Sequence, residues 1–232
     1  MPRPYIIFPS SDKGAVKSVD MTLTGNAAGV LPDIISAWIK AGEIGIGPKR
    51  EKFRLHEINR IPPDGRIVPL KENLGTDHVY PLADYLEKKR GEDDMGQLWK
   101  LHIASPLRLM HKGRILKEPD WFTAFKSLAV RVSALSRYYC GTPRLDNSLW
   151  NMLISFFYES CKTYNCISWK RLKRYSSRQK QYVSLDGIIG ECMIAPESNR
   201  ELWWQWWKMA TLFHLGKGTT MGLGKVCLKD DL

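Results

Sequence analysis

Apolar side chains recur every three to four residues in three long segments of the chain, a spacing that predicts amphipathic helices. The segments are 30–41, 120–139 and 199–213. Gly42 follows the first segment and is expected to end the helix, and Asp120 precedes the second as a candidate N-cap. The apolar face of the first helix is formed by Leu31, Ile34, Ile35, Trp38 and Ile39.

The third helix carries the run LWWQWW at 202–207 and opens on Ser198 and Glu201, which are spaced for a capping box. A row of tryptophans is also what a base-stacking platform uses. At helical spacing, however, an aromatic stripe is typical of a hydrophobic core, and we favour the core. The residues expected to face inward are Leu202, Trp206, Met209 and Phe213, with Trp203, Trp207 and Ala210 beside them.

Two parts of the chain share the order strand, helix, Gly-apolar-Gly turn and strand. The first part comprises 15–25, 30–41, 45–47 and 52–58. The second part comprises 184–195, 199–213, 222–224 and 225–228. This weak self-similarity suggests two copies of one structural unit.

The second copy is preceded by further elements, which are a strand at 98–105, helix 120–139, a helix at about 146–161 and a strand at 166–177. The resulting β-α-β-β-α-β order is the ferredoxin-like plan. The first copy has no counterpart of the opening strand and helix, so sheet edges and an apolar helix face are left uncovered. We therefore predict an α+β protein with tandem ferredoxin-like domains, the first incomplete. The predicted division is 1–60 for the partial domain, 61–96 for a polar connector with a short hairpin, and 97–232 for the complete domain.

The composition adds a strong positive charge to this picture. The 232 residues carry a formal net charge of +11, which favours a nucleic acid or an acidic membrane surface as partner. The most apolar stretch, 149–157, is too short to span a bilayer and argues against a membrane role. Five cysteines without a C-x-x-C pair, and no signal peptide, indicate a reducing cytoplasm.

The most basic stretch is 162–180, in which cations and aromatic residues alternate without an acidic residue. Cations neutralise phosphates while aromatic rings stack on unpaired bases, so the stretch is a candidate for RNA or DNA contact. The alternative is a basic hairpin that is simply solvated. The aromatic residues in and beside the stretch are Tyr164, Trp169, Tyr175 and Tyr182.

The segment HLGKGTTMGLGKV at 214–226 has the composition of a phosphate-binding loop. It does not fit a Walker A loop, because Thr211 stands where the first glycine is needed, and it does not fit a dinucleotide fingerprint, because Met221 replaces the third glycine. Its glycines still allow a backbone to approach a phosphate closely. The alternative is a tight helix-to-strand connection that needs only the glycine conformations.

Metal-dependent chemistry has little support in the sequence. The histidines are scattered without metal-ligand spacing, no G-x-S-x-G elbow is present, and no metal or cofactor is expected. If the protein cleaves RNA, the ribose 2′-OH is the expected nucleophile, with a general base, a general acid and cations around the phosphate.

Together these segments resemble the Cas-six endoribonucleases of CRISPR systems, within the RAMP superfamily. The resemblance rests on 24–55, 104–125, 174–191 and 213–226, in the order of the family, with RYSSRQ and HLGKGTTMGLG as its most specific motifs. It implies two RRM-like domains that bind CRISPR repeat RNA in the cytoplasm of a prokaryote. It also implies metal-independent cleavage to a 5′-hydroxyl and a 2′,3′-cyclic phosphate, which yields the mature guide RNA.

Site residues follow from the basic stretch, the glycine-rich loop and the related GIG turn. Those expected to contact RNA are Lys170, Arg171, Lys173, Arg174, Ser176, Ser177, Arg178, Gln179, Lys180, Gly216, Lys217, Gly218, Gly222, Gly224, Lys225, Lys49 and Arg50. His214 beside the loop is the preferred catalytic candidate, and a structural role at the helix end is the alternative. His111 is expected in an exposed loop, and His102 is expected to be packed on a strand.

The missing opening strand and helix of the first copy matter for catalysis. Family members usually begin with a strand and helix that have no match here, and that portion often holds the general-base histidine. The second hypothesis is therefore a non-catalytic crRNA-binding subunit of a CRISPR effector complex, with a partner that completes the first domain. A third is a basic assembly protein that pairs with another chain through its open sheet edge.

Overall fold

The computed structural model describes residues 1–9, 17–47, 49–70, 79–87, 98–158, 161–176 and 179–228. Its first half contains strands β1 (Tyr5–Pro9) and β2 (Val19–Leu23), a 3-10 helix (Gly25–Val30) and helix α1 (Leu31–Ile44). A small hairpin of β3 (Asn59–Arg60) and β4 (Val68–Pro69) follows, and then the short helix α2 (Leu82–Leu86).

The second half is larger and carries most of the regular structure. It begins with β5 (Trp99–Leu107), the two-residue strands β6 (Met110–His111) and β7 (Arg114–Ile115), and the helices α3 (Trp121–Tyr139) and α4 (Asn147–Tyr158). It continues with β8 (Cys161–Lys170), β9 (Lys173–Ser176), β10 (Gln181–Ser184), β11 (Gly187–Pro196), α5 (Arg200–Phe213), a 3-10 turn (Thr219–Met221) and β12 (Val226–Leu228).

A four-stranded antiparallel sheet with the order β12-β5-β11-β8 organises this half. Alternate residues of β5 and β11, including Leu101, Ile103 and Ile194, are buried against the helices α3 and α5. The connection order β5-α3-β8-β11-α5-β12 is that of a ferredoxin-like fold, with α4 added. The predicted α+β class and the ferredoxin-like plan are confirmed. No helix in the described segments is long and apolar enough to cross a membrane.

The tryptophan run of α5 lies in the core, as predicted. All four tryptophans are at most 6% exposed. The Trp203 ring packs edge-on against Phe125, with ring centroids 5.2 Å apart, and lies 4.5 Å from Phe156. These contacts join α5 to α3 and α4, and they leave the tryptophans inaccessible to a ligand. Leu202 differs from the prediction, since it is 38% exposed.

Two local features of this half differ from prediction. The expected strand at 166–177 is two strands, because the chain leaves the sheet at Leu172, whose N–H donates to Asp186 Oδ1 at 2.8 Å. The strand β9 then pairs with β10 in a separate hairpin. Helix α5 has Asn199 and not Ser198 as its N-cap; Asn199 lies in the left-handed region, a conformation that asparagine tolerates, and its side chain makes no capping hydrogen bond.

The first half also departs from prediction. An unpredicted strand β1 pairs antiparallel with β2. Helix α1 passes through Gly42, where a side chain would lie 2.3 Å from the Phe53 carbonyl oxygen, and it ends at Ile44 with Gly45 as its C-cap. The predicted apolar face of α1 is only partly covered, with Ile39 50% exposed.

The predicted strand at 52–58 does not form. Among the described strands of the second half, β12 pairs with β5 alone. The described part of the first half has no strand in the place of β5, so 52–58 has no ladder to join and stays irregular. The division into domains remains a prediction.

The structure retains similarity between the two copies, but their turns align differently from the prediction. Helices α1 and α5 both have 14 residues, and each is followed by a C-cap residue with positive φ, Gly45 (φ 86, ψ 148) and His214 (φ 57, ψ 165). The next residue in each case donates its N–H across the turn, from Ile46 to Glu51 and from Leu215 to Gly224, at 2.9 Å. The counterpart of the GIG turn is therefore HLG at 214–216, not GLG at 222–224.

Replacing Trp203 with alanine should lower the free energy of unfolding by about 3–5 kcal/mol, because it opens a large cavity between three helices. Chemical denaturation followed by circular dichroism measures the loss. Trp169→Ala is the matched control, because Trp169 is 37% exposed on β8 and should cost far less. Equal losses in the two variants would contradict the assignment of α5 as the centre of the core.

Candidate nucleic-acid interface

The hairpin of β9 and β10 presents two tyrosines side by side. Tyr175 and Tyr182 are directly opposite each other in the ladder, and their ring centroids lie 5.4 Å apart. The two residues are 52% and 73% exposed. An aromatic pair held in this way by a β-ladder offers flat apolar surface to a ligand rather than to the core.

Cations lie along the same hairpin and along the chain that leads into it. The exposed ones are Lys170, Arg171, Lys173, Arg174 and Lys180. The Asp186 carboxylate at the base of the hairpin is held by the Leu172 N–H, which is the main cause that lowers its pKa, and the charges of Arg108 and Arg171 add to the effect. The hairpin therefore keeps an excess of positive charge over an exposed aromatic surface.

The remaining polar residues predicted here have different surroundings. The Ser176 hydroxyl accepts a hydrogen bond from the Gln179 N–H at 3.3 Å, which fixes the tip of the hairpin together with Lys180 at φ 51. Ser177 and Arg178 lie outside the described residues. The Ser176 hydroxyl and the Gln179 N–H, for which RNA contacts were predicted, are therefore already bonded to each other in the turn.

The glycine-rich loop after α5 has a buried half and an accessible half. Gly222 and Gly224 are buried, and their N–H groups donate to Thr219 and Pro106. A side chain on Gly224 would lie 1.9 Å from the Leu215 carbonyl oxygen, and one on Gly222 would lie 2.7 Å from that of Ile7. These two glycines meet the need for close backbone packing, and their occupied N–H groups are not available to RNA.

The accessible half is 216–220. Within the described chain, the N–H groups of Gly216, Gly218 and Thr220 donate no hydrogen bond, and Lys217 between them is exposed. Free N–H groups beside a lysine are suited to an anion such as a phosphate. Lys225 lies at the far end of the loop, with its Nζ 5.2 Å from the centre of the Phe8 ring.

Arg108 joins the loop to the hairpin. Its carbonyl oxygen accepts the Lys217 N–H at 2.9 Å, and its Nη1 donates to the Ser184 carbonyl oxygen on β10 at 3.0 Å. The two regions predicted from sequence are therefore neighbours in space. Sequence reasoning missed Arg108, for which the only signal was an arginine at the end of a predicted strand.

Arg131 is the second residue that sequence reasoning missed. It lies on α3, and its Nη1 donates to the Thr219 hydroxyl under the loop. Its Nε and Nη2 are buried without a hydrogen bond to the described residues. The sequence showed only that a cation lies on a largely apolar helix, which could have indicated a buried polar contact.

His214 is packed inside the loop. It is 2% exposed, and its ring meets Phe8 edge-on at 5.9 Å. Because the Leu223 carbonyl oxygen 3.2 Å away can only accept, Nδ1 carries the ring proton. Burial and the nearby Lys225 and Arg131 lower its pKa to about 3. A neutral, buried imidazole fits the structural alternative better than the general-base role.

The other predicted site residues are spread over the surface. Lys49 and Arg50 are exposed at the turn after α1, with Arg50 at φ 52. His56 and His111 are exposed, and His102 is half-buried on β5. The structure thus brings together the hairpin and the accessible half of the loop, and it leaves the catalytic prediction without an accessible histidine at the loop.

This combination defines a ferredoxin-like protein with a basic, aromatic-rich surface of the kind that nucleic-acid-binding proteins use. Residues 101–226, more than half of the chain, match the family model of the CRISPR-associated endoribonuclease Cas6. The chain belongs to this family. A second family model, described as an N-terminal domain, matches residues 1–81. A search of curated proteins found no match.

Solved structures show the same fold at low sequence identity. A Cas6 product complex aligns with a TM-score of 0.64 and 14% identity, over 97% of this chain and 81% of that chain. Cas6 of Thermus thermophilus aligns with a TM-score of 0.63 and 14% identity, over 98% and 80%. A partial complex named Cas6-RT-Cas1 with Cas2 aligns with a TM-score of 0.60 and 13% identity, over 96% of this chain and 38% of that chain.

The backbone at His214 predicts an unusual order of stabilities. At φ 57 and ψ 165 it lies at the edge of a region that glycine alone occupies freely. His214→Gly should therefore be more stable than His214→Ala by about 1 kcal/mol, since both lose the ring contacts and only glycine relieves the strain. Denaturant unfolding measures the difference. The control is Lys40, which is exposed within α1, where the alanine variant should be more stable than the glycine variant. A more stable alanine variant at both positions would contradict backbone strain at His214.

The buried imidazole also predicts acid sensitivity. Its pKa falls from about 6.5 when unfolded to about 3 when folded, so between these pH values the unfolded state binds the extra proton. Stability should then fall with acidity by up to about 1.4 kcal/mol per pH unit from this group. Denaturant unfolding of the wild type and of His214→Gly between pH 7 and 4 measures the effect. The difference in their free energies of unfolding should become smaller as the pH falls. Parallel curves would mean that the imidazole titrates normally.

Proposed function

We propose that this protein binds CRISPR repeat RNA on the hairpin and the accessible half of the loop, and processes it without a metal. The observation that carries the proposal is that Arg108 joins an exposed basic and aromatic hairpin to a loop with free N–H groups. Membership of the Cas6 family supports the choice of RNA and of its source.

In this proposal the two regions have different roles. The free N–H groups of Gly216, Gly218 and Thr220, with Lys217, hold a backbone phosphate. The cations of the hairpin neutralise further phosphates, while Tyr175 and Tyr182 stack on bases outside a duplex. Arg108 keeps the spacing between the regions constant, so that one RNA strand contacts both.

The proposed reaction is an internal transesterification. A general base removes the proton of the ribose 2′-OH, the 2′-oxygen bonds to the adjacent phosphorus, and the bond to the 5′-oxygen breaks. The departing 5′-oxygen takes a proton, so the products carry a 2′,3′-cyclic phosphate and a 5′-hydroxyl. Cations at the phosphate stabilise the charge that develops in the transition state.

The burial of His214 favours a second candidate function. If no other group of this chain serves as the base, the protein holds crRNA without cleaving it and works as a subunit of a CRISPR complex. One structural neighbour is named as a complex of Cas6-RT-Cas1 with Cas2, which supports other CRISPR proteins as partners. In that case catalysis depends on the partner.

Incubation of the purified protein with end-labelled repeat RNA in EDTA tests the proposal. Cleavage to a product with a cyclic phosphate, resolved on a denaturing gel, is the expected result. Intact RNA that still shifts on a native gel would exclude cleavage by this chain alone and support the non-catalytic crRNA-binding function. The absence of a shift at low salt would contradict both functions.

The binding surface makes a separate prediction. Arg174→Ala combined with Lys217→Ala should weaken binding of repeat RNA at every sequence tested, and should reduce the slope of log K against log salt by about 1 for each lost phosphate contact. Fluorescence anisotropy at salt concentrations from about 50 to about 300 mM measures the slope. Lys40→Ala, an exposed cation on α1, is the control and should change nothing. An unchanged slope in the double variant would mean that the hairpin is only solvated.

A further inference from the structure

We propose that the guanidinium of Arg131 strengthens the binding of an RNA phosphate at the accessible half of the loop, and that it acts through its charge rather than by direct contact. The inference rests on the proposed function, since it takes a backbone phosphate as the ligand of that half. It adds a residue beneath the loop, with an effect that the exposed cations do not have. Arg131 should make the free protein less stable and the RNA complex tighter.

Arg131 lies in the middle of α3 and reaches the underside of the glycine-rich loop. Its Nη1 donates to the hydroxyl of Thr219, which is 2% exposed. Gly218 and Thr220, whose N–H groups donate no hydrogen bond in the described chain, are the two neighbours of Thr219. The guanidinium is therefore bonded to the residue between two of the donors that the proposed function gives to a phosphate.

The other N–H groups of Arg131 are unsatisfied. Nε and Nη2 are buried, and neither donates a hydrogen bond to the described residues. Buried guanidinium groups are ordinarily paired with a carboxylate or with carbonyl oxygens. The described elements that meet here offer no carboxylate, because α3, β1 and the loop at 214–226 contain neither Asp nor Glu.

The charges nearest to Arg131 are also positive. Burial lowers the pKa of the His214 ring most, and the charges of Lys225 and Arg131 lower it further, so both cations lie close to that ring. Burial also lowers the pKa of Arg131, which means that its charged form is held at a cost. An anion at the loop would offset this cost, because a protein interior screens the attraction less than water does.

A purely structural arginine would behave in the opposite way. If Arg131 served only to tie α3 to Thr219, its removal would destabilise the protein, and another donor of similar reach would restore RNA binding. If its charge is what RNA needs, an uncharged residue should stabilise the free protein, as apolar replacements of buried charged groups often do, and should weaken RNA binding. The two roles therefore predict opposite signs for the change in stability.

Arg131→Met and Arg131→Gln separate the two roles. Methionine replaces the stem of the side chain without a charge, and glutamine also keeps a donor for Thr219. Arg131→Met should raise the melting temperature of the free protein by about 2–4 °C. Both variants should bind repeat RNA about tenfold more weakly, the effect of one nearby charge at an effective dielectric constant of about 20. Arg137→Met, which removes an exposed arginine of the same helix, is the control and should leave RNA affinity unchanged.

Thermal unfolding and fluorescence anisotropy measure these two effects. Inorganic phosphate as a second probe tests the loop without the rest of the RNA. The rise in melting temperature with added phosphate should be smaller for Arg131→Gln than for Arg137→Met, which corrects for the general stabilisation of proteins by phosphate. Equal rises in the two variants would contradict an anion site that depends on Arg131.

The outcomes separate this inference from the proposed function. If both Arg131 variants bind repeat RNA like the wild type while the Arg174 and Lys217 double variant loses it, the role of Arg131 is wrong and the proposed function stands. If Arg131→Gln keeps full affinity and Arg131→Met alone loses it, the hydrogen bond to Thr219 is what RNA needs, and the inference is overturned. A lower melting temperature of Arg131→Met would also overturn it. If the wild type binds no repeat RNA, both proposals are wrong. If circular dichroism shows that Arg131→Met does not fold, Arg131→Gln and the phosphate titration decide the question.

Discussion

The end of β5 holds the glycine-rich loop in place, and the rest of the interface depends on this attachment. The carbonyl oxygens of Pro106 and Arg108 accept the N–H groups of Gly224 and Lys217. Ser105 adds a hydroxyl that donates to the Gly222 carbonyl oxygen at 2.7 Å and accepts from the Lys225 N–H at 2.8 Å. Because β5 is also paired on both edges, the loop is fixed to the most buried strand of the sheet.

This attachment explains why the loop has two halves. Where it passes between β5 and β1, the backbone must approach other backbone closely, and glycine is required at Gly222 and Gly224. Where it turns outward, the N–H groups of Gly216, Gly218 and Thr220 are left without partners in the described chain. One segment thus combines a rigid half with a half whose donors are free, which is the preorganisation that anion binding requires.

The two related turns show what the side chain of His214 adds. After α1 the position is Gly45, which adopts a similar positive-φ backbone without strain. After α5 it is a histidine, whose ring contacts Phe8 on β1 and whose Nδ1–H donates to Leu223. The histidine therefore connects the first half of the chain to the loop of the second. A catalytic imidazole needs an accessible nitrogen and a pKa near the working pH, and His214 has neither.

The sequence was most informative where a local pattern decides the structure. The helices and the buried tryptophans of α5 follow from periodicity, and the order of elements was enough for the ferredoxin-like plan. The strand predicted at 52–58 does not form, because a strand needs a partner strand and pairing depends on residues far away in the sequence. Arg108 and Arg131 were missed for a similar reason, since a long side chain acts on whatever the fold brings to its end.

Stability and binding are divided between different aromatic residues in this chain. The tryptophans of α5 stabilise the second half from inside, while Tyr175 and Tyr182 are held apart from the core by the hairpin of β9 and β10. The chain leaves the sheet at Leu172, and the Asp186 carboxylate fixes that departure. A continuous strand at 166–177 would have kept Tyr175 in the plane of the sheet. The break that sequence reasoning did not foresee is therefore what gives the hairpin a direction of its own, beside the loop that Arg108 holds.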